Sequence, residues 1–90
     1  MPKIVVYHFS TPTCAPCKHI KPAIENLKED SPDVEWNSVN LHRDEENYSE
    51  KFEVRVVPTM IVVAPSGKIY RHSGTDMAGY YRIIHSAKTE

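Results

Sequence analysis

Apolar residues along the chain follow two different spacings, and each change of spacing predicts a new structural element. Ile4–Phe9 is a short, almost continuous apolar run, which is typical of a strand buried on both faces. Ser10–Thr13, which contains a proline, predicts a turn. From Cys14 onward the apolar positions recur at helical intervals with charged residues between them. This helix has an apolar stripe of four residues: Cys17, Ile20, Ile24 and Leu27.

Prolines mark positions within this helix and its end. Pro16 falls in the first turn, where the missing N–H of proline has no cost. Pro22 lies inside the helical pattern and predicts a kink. The helix is expected to stop at 31–33, where the sequence reads Ser-Pro-Asp.

The middle of the chain predicts a second strand and a short polar helix. Val34–Leu41 has the composition of a strand. A strand, a helix and a second strand over this length imply parallel pairing of the two strands. A short helix is then expected over Asp44–Glu53, packed through Tyr48 and Phe52.

The last third of the chain predicts a hairpin followed by a helix. Met60–Ala64 is an apolar strand, and Pro-Ser-Gly after it favours a tight turn. Lys68–Ser73 should therefore return as an antiparallel edge strand, which Gly74 ends. Asp76 is a candidate cap for a final helix. The apolar residues of that helix are Met77, Tyr80, Tyr81 and Ile84.

The order β-α-β-α-β-β-α predicts an α/β fold with a four-stranded mixed sheet and helices on both faces. Ninety residues suffice for one domain, 1–90, with one modest core. The net charge of −1 argues against nucleic acid or an anionic membrane as the main partner, and we expect a monomer. The opening Met1-Pro2-Lys3 and the strand after it are too short for a signal sequence, so a cytoplasmic protein is predicted.

Cys14 and Cys17 are the only cysteines, and they lie where the first strand turns into the helix. Free N–H groups and the positive dipole end of a helix favour a thiolate, lowering a cysteine pKa from ~8.5 toward neutrality. Closing so small a loop with a disulfide stabilises a fold by only about 2 kcal/mol. Reversible thiol–disulfide exchange is therefore a better interpretation of the pair than a structural crosslink.

Several short motifs together resemble the thioredoxin family, in a short form without its usual first strand and helix. Cys14–Lys18 reads Cys-Ala-Pro-Cys-Lys, close to the family's Cys-Gly-Pro-Cys-Lys. Pro22 falls at the family's helix-kink position, and Val57–Thr59 matches its apolar residue, cis-proline and threonine. Gly74 follows the edge strand at the expected spacing. The resemblance covers essentially the whole chain.

This resemblance implies roles for individual residues. Cys14 would be the exposed attacking cysteine and Cys17 the buried resolving one, with Pro58 cis and facing their disulfide. Pro16 would keep the loop between the cysteines rigid and influence its reduction potential. The groove for a substrate segment would be lined by Thr13, Ala15, Val57 and Gly74. The family needs no bound cofactor, because the Cys14–Cys17 disulfide carries the electrons from an upstream reductase to disulfides of target proteins.

The chain also departs from the family at positions near the cysteines. His8 occupies the strand position where most thioredoxins have a buried aspartate that helps to deprotonate the second cysteine. We consider two interpretations: neutral His8 accepts a proton from Cys17, or His8 is a core histidine hydrogen-bonded to the backbone. Ser10 and Thr13 replace the family's usual tryptophans, and Ser38 falls near its lysine.

Three other functions are open on sequence grounds. A metal-binding module would use the two cysteines as ligands, but tetrahedral zinc requires two more, and neither a second cysteine pair nor a histidine pair at finger spacing follows. A glutaredoxin-like, glutathione-dependent enzyme would have proline directly after the first cysteine and a paired glycine late in the chain. A non-enzymatic interaction domain would not need both cysteines.

Overall fold

A computed structural model describes residues 3–90, so the prediction for the opening of the chain lies partly outside it, at Met1 and Pro2. The predicted order of elements is confirmed, and most bounds agree within one residue. The elements are β1 (Val5–Ser10), α1 (Ala15–Glu29), β2 (Glu35–Asn40), a 3₁₀ turn (Leu41–Arg43), α2 (Tyr48–Lys51), β3 (Thr59–Val63), β4 (Ile69–Ser73) and α3 (Met77–Lys88).

The four strands form one mixed sheet in the order β2-β1-β3-β4. The parallel pair is β1 and β2, joined through α1, while β3 is antiparallel to both β1 and β4. β4 is therefore an antiparallel edge strand, as the hairpin pattern predicts. This arrangement places the end of β1, the start of β3 and the end of β4 side by side at one end of the sheet. This end of the sheet is called the site edge below.

Alternate residues of β1 lie on opposite faces of the sheet, and each face has its own apolar cluster. Val6 packs with the buried stripes of α1 and α3, which together form the larger cluster. Phe9 packs with Val39, Val54 and Ile61 on the other face, where residues of α2 and its flanks cover them. Helices thus cover both faces of the sheet, as expected.

The prediction for α2 is wrong in length, because it covered Asp44–Glu53 and the helix spans only Tyr48–Lys51. The Asp44 carboxylate accepts hydrogen bonds from the backbone N–H groups of Tyr48, at 3.0 Å, and Ser49, at 2.7 Å. Asn47 lies in the left-handed region at φ 56°, which a helix interior does not allow. The carboxylate caps the helix from outside, and residues 44–47 form a loop.

The other two helices begin as predicted. Pro16 lies in the first turn of α1, which continues past Pro22 to Glu29. Asp76 caps α3 by accepting a hydrogen bond from Ala78 N–H at 3.1 Å. α3 contains all four apolar residues expected on it, of which Tyr81 is 45% exposed, and Ile83 belongs to its buried stripe as well.

No helix within residues 3–90 is both long and apolar enough to cross a membrane.

Candidate active site

The cysteine turn, residues 11–17, joins the end of β1 to the start of α1. Cys14 and Cys17 form a disulfide here, with their Cα atoms 5.2 Å apart. Cys14 is the N-cap residue of α1, and its Sγ accepts a hydrogen bond from Cys17 N–H at 3.1 Å. Cys14 is half-buried and Cys17 is 6% exposed, so the two sulfurs differ in their access to solvent.

The position of Cys14 at the helix end determines its electrostatic surroundings. The first N–H groups of a helix have no partner inside it, and the dipole places partial positive charge at this end. Pro16 has no N–H, and the backbone donor bonded to Cys14 Sγ is the N–H of Cys17. A sulfur in this position is favoured as a thiolate when the disulfide opens.

The proline segment, Val56–Thr59, forms the second part of the site. Thr59 pairs with Phe9 of β1 on one side and with Ser73 of β4 on the other. The register therefore places the proline segment at the same edge of the sheet as the cysteine turn. The Val57–Pro58 peptide bond is cis, as the resemblance implies.

Hydrogen bonds hold the proline segment to its own strand and to β4. Thr59 Oγ1 donates to the carbonyl of Val56 at 2.7 Å and lies 2.7 Å from Ser73 Oγ. The N–H of Gly74 donates to the carbonyl of Pro58 at 3.0 Å. Gly74 has φ +104°, a conformation that residues with a Cβ rarely adopt, so the backbone at this position favours glycine.

His8 lies on β1 beneath the cysteine turn and is 9% exposed. Among the described residues, no hydrogen-bond partner reaches its buried Nε2. Burial lowers the pKa of His8 to about 4, and the negative charge of Glu25 opposes this shift. The imidazole is therefore neutral near pH 7. Nε2 makes no hydrogen bond to the backbone, so this atom does not support the interpretation of His8 as a core histidine bonded to the backbone.

A cavity of about 470 Å³ opens between the start of α1 and the ends of β1 and β2. Both His8 and Cys17 line it, so the buried imidazole and the buried sulfur share one partly solvent-open space. Small side chains, Ser10 and Ser38, occupy two of its walls, including one position where the family usually has tryptophan. The remaining lining residues are Thr11, Pro12, Lys18, Lys21, Ile24, Glu25, Trp36 and Asn40.

The sequence-predicted groove residues lie on both sides of the site edge. Thr13, Ala15 and Pro16 are exposed on the cysteine turn, whereas Val57 and Gly74 are half-buried on the other side.

Sequence analysis missed two residues at this edge. Val56 is 59% exposed beside the proline segment, and an apolar residue immediately before Val-Pro was the available signal. For Tyr80 the apolar spacing predicts only a place on the last helix, although a buried tyrosine requires a hydrogen-bond partner for its hydroxyl.

In the part of the chain that the structure describes, no group of three or more His, Cys, Asp or Glu side chains is positioned to hold a metal ion.

Comparisons with known proteins agree with this geometry. The sequence model of the family described as Thioredoxin matches residues 1–84. A thioredoxin of Ophiophagus hannah is 30% identical over 82% of this chain and 70% of its own length. The chloroplastic thioredoxin F of Oryza sativa subsp. japonica is 24% identical over 98% of this chain but only 47% of its own length. The chain thus spans about half the length of some curated relatives that it matches.

Solved structures share the fold as well. The thioredoxin of Fasciola hepatica superposes with a TM-score of 0.84 at 27% identity, covering 94% of this chain and 81% of the other. The long form of spinach chloroplast thioredoxin F gives a TM-score of 0.84 at 26% identity, covering 96% of this chain and 71% of the other. With a family match over most of its length and the cysteine pair at a helix start, the chain belongs to the thioredoxin family.

Proposed function

We propose that this protein is a thiol–disulfide oxidoreductase that reduces disulfides of target proteins. The observation that carries the proposal is the Cys14–Cys17 pair, whose first sulfur caps α1 and whose second lies one turn deeper. Membership of the thioredoxin family supports the same reaction. The reaction requires no bound cofactor, because the electrons reside in the two thiols.

The reaction consists of two exchanges. The Cys14 thiolate attacks a target disulfide, forming a bond to one target sulfur and releasing the other as a thiolate. The Cys17 thiolate then attacks Cys14 Sγ, which forms the Cys14–Cys17 disulfide and releases the second target thiolate. The target gains two electrons and the enzyme loses two. An upstream disulfide reductase returns the enzyme to its dithiol form by supplying two electrons.

His8 is the proposed acceptor for the proton that Cys17 must lose before the second exchange. Its imidazole is neutral near pH 7, because burial lowers the pKa of His8 to about 4, and a neutral ring can take up a proton. The same burial makes the imidazolium costly, so the ring holds the proton only briefly. The shared cavity of His8 and Cys17 gives that proton a route to water.

A target segment is proposed to bind across the site edge, between the cysteine turn and the proline segment. Val57 lies there with its neighbour Val56, which is 59% exposed. The backbone around Val57 is suited to pair with an extended segment, as in the addition of a strand. Thr13 and Ala15 would border the segment on the cysteine side and Gly74 on the other.

Reduction of insulin tests the proposed function. We expect the protein, supplied with electrons by a thioredoxin reductase and NADPH, to reduce insulin disulfides in a reaction that Cys14→Ser abolishes. A glutathione-coupled assay with a small mixed disulfide is the matched comparison. Activity in that assay alone would identify a glutaredoxin-like enzyme, and zinc bound to freshly reduced protein would identify a metal-binding module.

The role of His8 requires a separate measurement. For His8→Asn we expect the first exchange to keep its rate and the second to slow on the order of a hundredfold near pH 7, as for loss of a general base. Raising the pH should restore the second exchange, because hydroxide can then deprotonate Cys17. His19→Asn, on the exposed side of α1, is the control. Equal slowing of both exchanges at every pH would contradict this role.

The compartment stays a prediction. Some relatives are named as chloroplastic or mitochondrial thioredoxins, and the name of another states no compartment. A cytoplasmic location is our proposal, since two cysteines at a helix start fit redox cycling in a reducing compartment. Fractionation of cells that express the tagged protein tests it.

A further inference from the structure

The hydroxyl of Tyr80 joins the two segments that border the proposed groove. Tyr80 is completely buried on α3, and its side chain reaches the site edge from below. The hydroxyl lies 2.5 Å from the carbonyl oxygen of Gly74 and 3.3 Å from that of Pro58, and it donates to both. The hydroxyl oxygen thus lies within hydrogen-bond distance of both the end of β4 and the proline segment.

These carbonyls lie next to the backbone proposed to hold a target. Pro58 directly follows Val57, and its carbonyl also accepts the N–H of Gly74 at 3.0 Å. The Tyr80 hydroxyl therefore completes a small network in which Pro58 and Gly74 are bonded both to each other and to α3. Without the hydroxyl, the hydrogen bond between Gly74 N–H and the Pro58 carbonyl would remain, but these two residues would lose their hydrogen bonding to α3.

The ring of Tyr80 is itself fixed in place by its neighbours. His72 of β4 packs edge-on against it, with ring centroids 4.6 Å apart and an interplanar angle of 89°. His72 Nε2 lies 3.0 Å from the carbonyl of Asp76, at the start of α3. The His72 ring also covers Gly79, where any Cβ would collide with it. Close packing on this side leaves the hydroxyl aimed at the site edge.

We propose that Tyr80 is a positioning residue for target binding: through its hydroxyl it fixes the backbone of the proline segment and Gly74 in the shape that pairs with a target. This inference rests on the proposed function. It adds a specific claim, that Tyr80 affects the affinity for protein disulfides and leaves the chemistry at Cys14 unchanged. Burial raises the pKa of Tyr80 to about 12, so the hydroxyl keeps its proton throughout the working range.

The test is Tyr80→Phe, which keeps the ring and removes only the hydroxyl. We expect KM for insulin to rise about fivefold, which corresponds to the loss of about 1 kcal/mol of net hydrogen bonding. We expect kcat to be unchanged, together with the rate of reaction with a small aromatic disulfide, which does not need the groove. Amide hydrogen exchange at Gly74 should become faster. Tyr81→Phe, at an exposed neighbour, is the control.

The possible outcomes separate the two proposals. If the wild-type protein does not reduce insulin, the proposed function fails. If it does, and Tyr80→Phe leaves KM and Gly74 exchange unchanged, the Tyr80 proposal fails alone. A parallel loss of rate with the small disulfide would show a general structural role and overturn it too. Should the variant not fold, NMR of the wild-type protein decides, because a Tyr80 hydroxyl proton in rapid exchange with water contradicts the proposal.

Discussion

The cysteine turn and the proline segment form two sides of one site, but they are held in different ways. The cysteine turn is stabilised locally: Cys14 caps the helix that it begins, and Pro16 lies in the first turn of the same helix. The proline segment is held by side chains distant in sequence, Thr59 through Ser73 and Pro58 through Tyr80. The proposed chemistry therefore depends on one short stretch of chain, whereas the proposed target binding depends on packing across three elements.

This difference predicts two classes of variant. Changes in the cysteine turn should affect every disulfide substrate, large or small. Changes around the proline segment should affect protein disulfides and leave small disulfides unaffected, because a small molecule can reach Cys14 without pairing with the backbone. A pair of assays, one with insulin and one with a small aromatic disulfide, separates the classes.

Cys14→Ser should have the largest effect. A serine hydroxyl is not ionised near neutral pH and does not attack disulfides, so we expect loss of activity by on the order of a thousandfold or more with both substrates. Initial rates in the two assays measure this. Substantial activity of the variant toward either substrate would mean that Cys17 can attack directly, and the distinction between an accessible and a buried sulfur would be wrong.

Cys17→Ser should stop turnover at a different step. Cys14 still attacks, but no thiol follows to release the target, so the mixed disulfide accumulates. We expect intact-mass spectrometry to show one target molecule bound per protein, with the bond removed by excess dithiothreitol. The double variant with Cys14→Ser should form no such complex. A Cys17→Ser protein that turns over normally would contradict a resolving role.

Thr59→Val should affect the other side of the site. Thr59 is fully buried, and its hydroxyl bonds to Val56 and Ser73. Removing it leaves the Val56 carbonyl without that donor, and we expect unfolding free energy to fall by about 1–2 kcal/mol. KM for insulin should rise, with the small-disulfide rate unchanged. Thr59→Ser keeps the hydroxyl and should keep the wild-type KM. A raised KM in Thr59→Ser as well would mean that the hydroxyl alone does not determine target affinity at this position.

The same contrast explains what sequence could predict. The element order and the cysteine turn follow from local signals: apolar spacing, prolines and a cap. The length of α2 does not follow from local signals. The Asp44 side chain caps the helix from outside, and Asn47, with φ in the left-handed region, keeps residues 44–47 out of the helix. The hydroxyl contacts of Tyr80 could not be derived, since they depend on how α3 docks against Pro58. The resemblance to a family supplied the cis-proline, which apolar spacing alone would not indicate.

His8 provides the smallest expected effect, and it concerns stability. Burial lowers the pKa of His8 to about 4, compared with 6.5 in an unfolded chain. Between these pH values the unfolded chain binds a proton at His8 that the folded protein does not, so the free energy of unfolding must decrease as pH falls. Between pH 6 and pH 5 the decrease should be about 1.2 kcal/mol, and the slope should fade above pH 6.5 and vanish by about pH 7.5.

Urea unfolding of the oxidised protein measures this slope. Subtracting the curve of His8→Asn from that of the wild type removes the contributions of the other titrating groups that both proteins share. We expect the difference in unfolding free energy to change with pH below about 7.5 and to be constant above it, with the exposed His19→Asn as the control. A flat difference down to pH 5 would mean that His8 titrates alike in the folded and unfolded chains, which would contradict desolvation of its imidazole by burial.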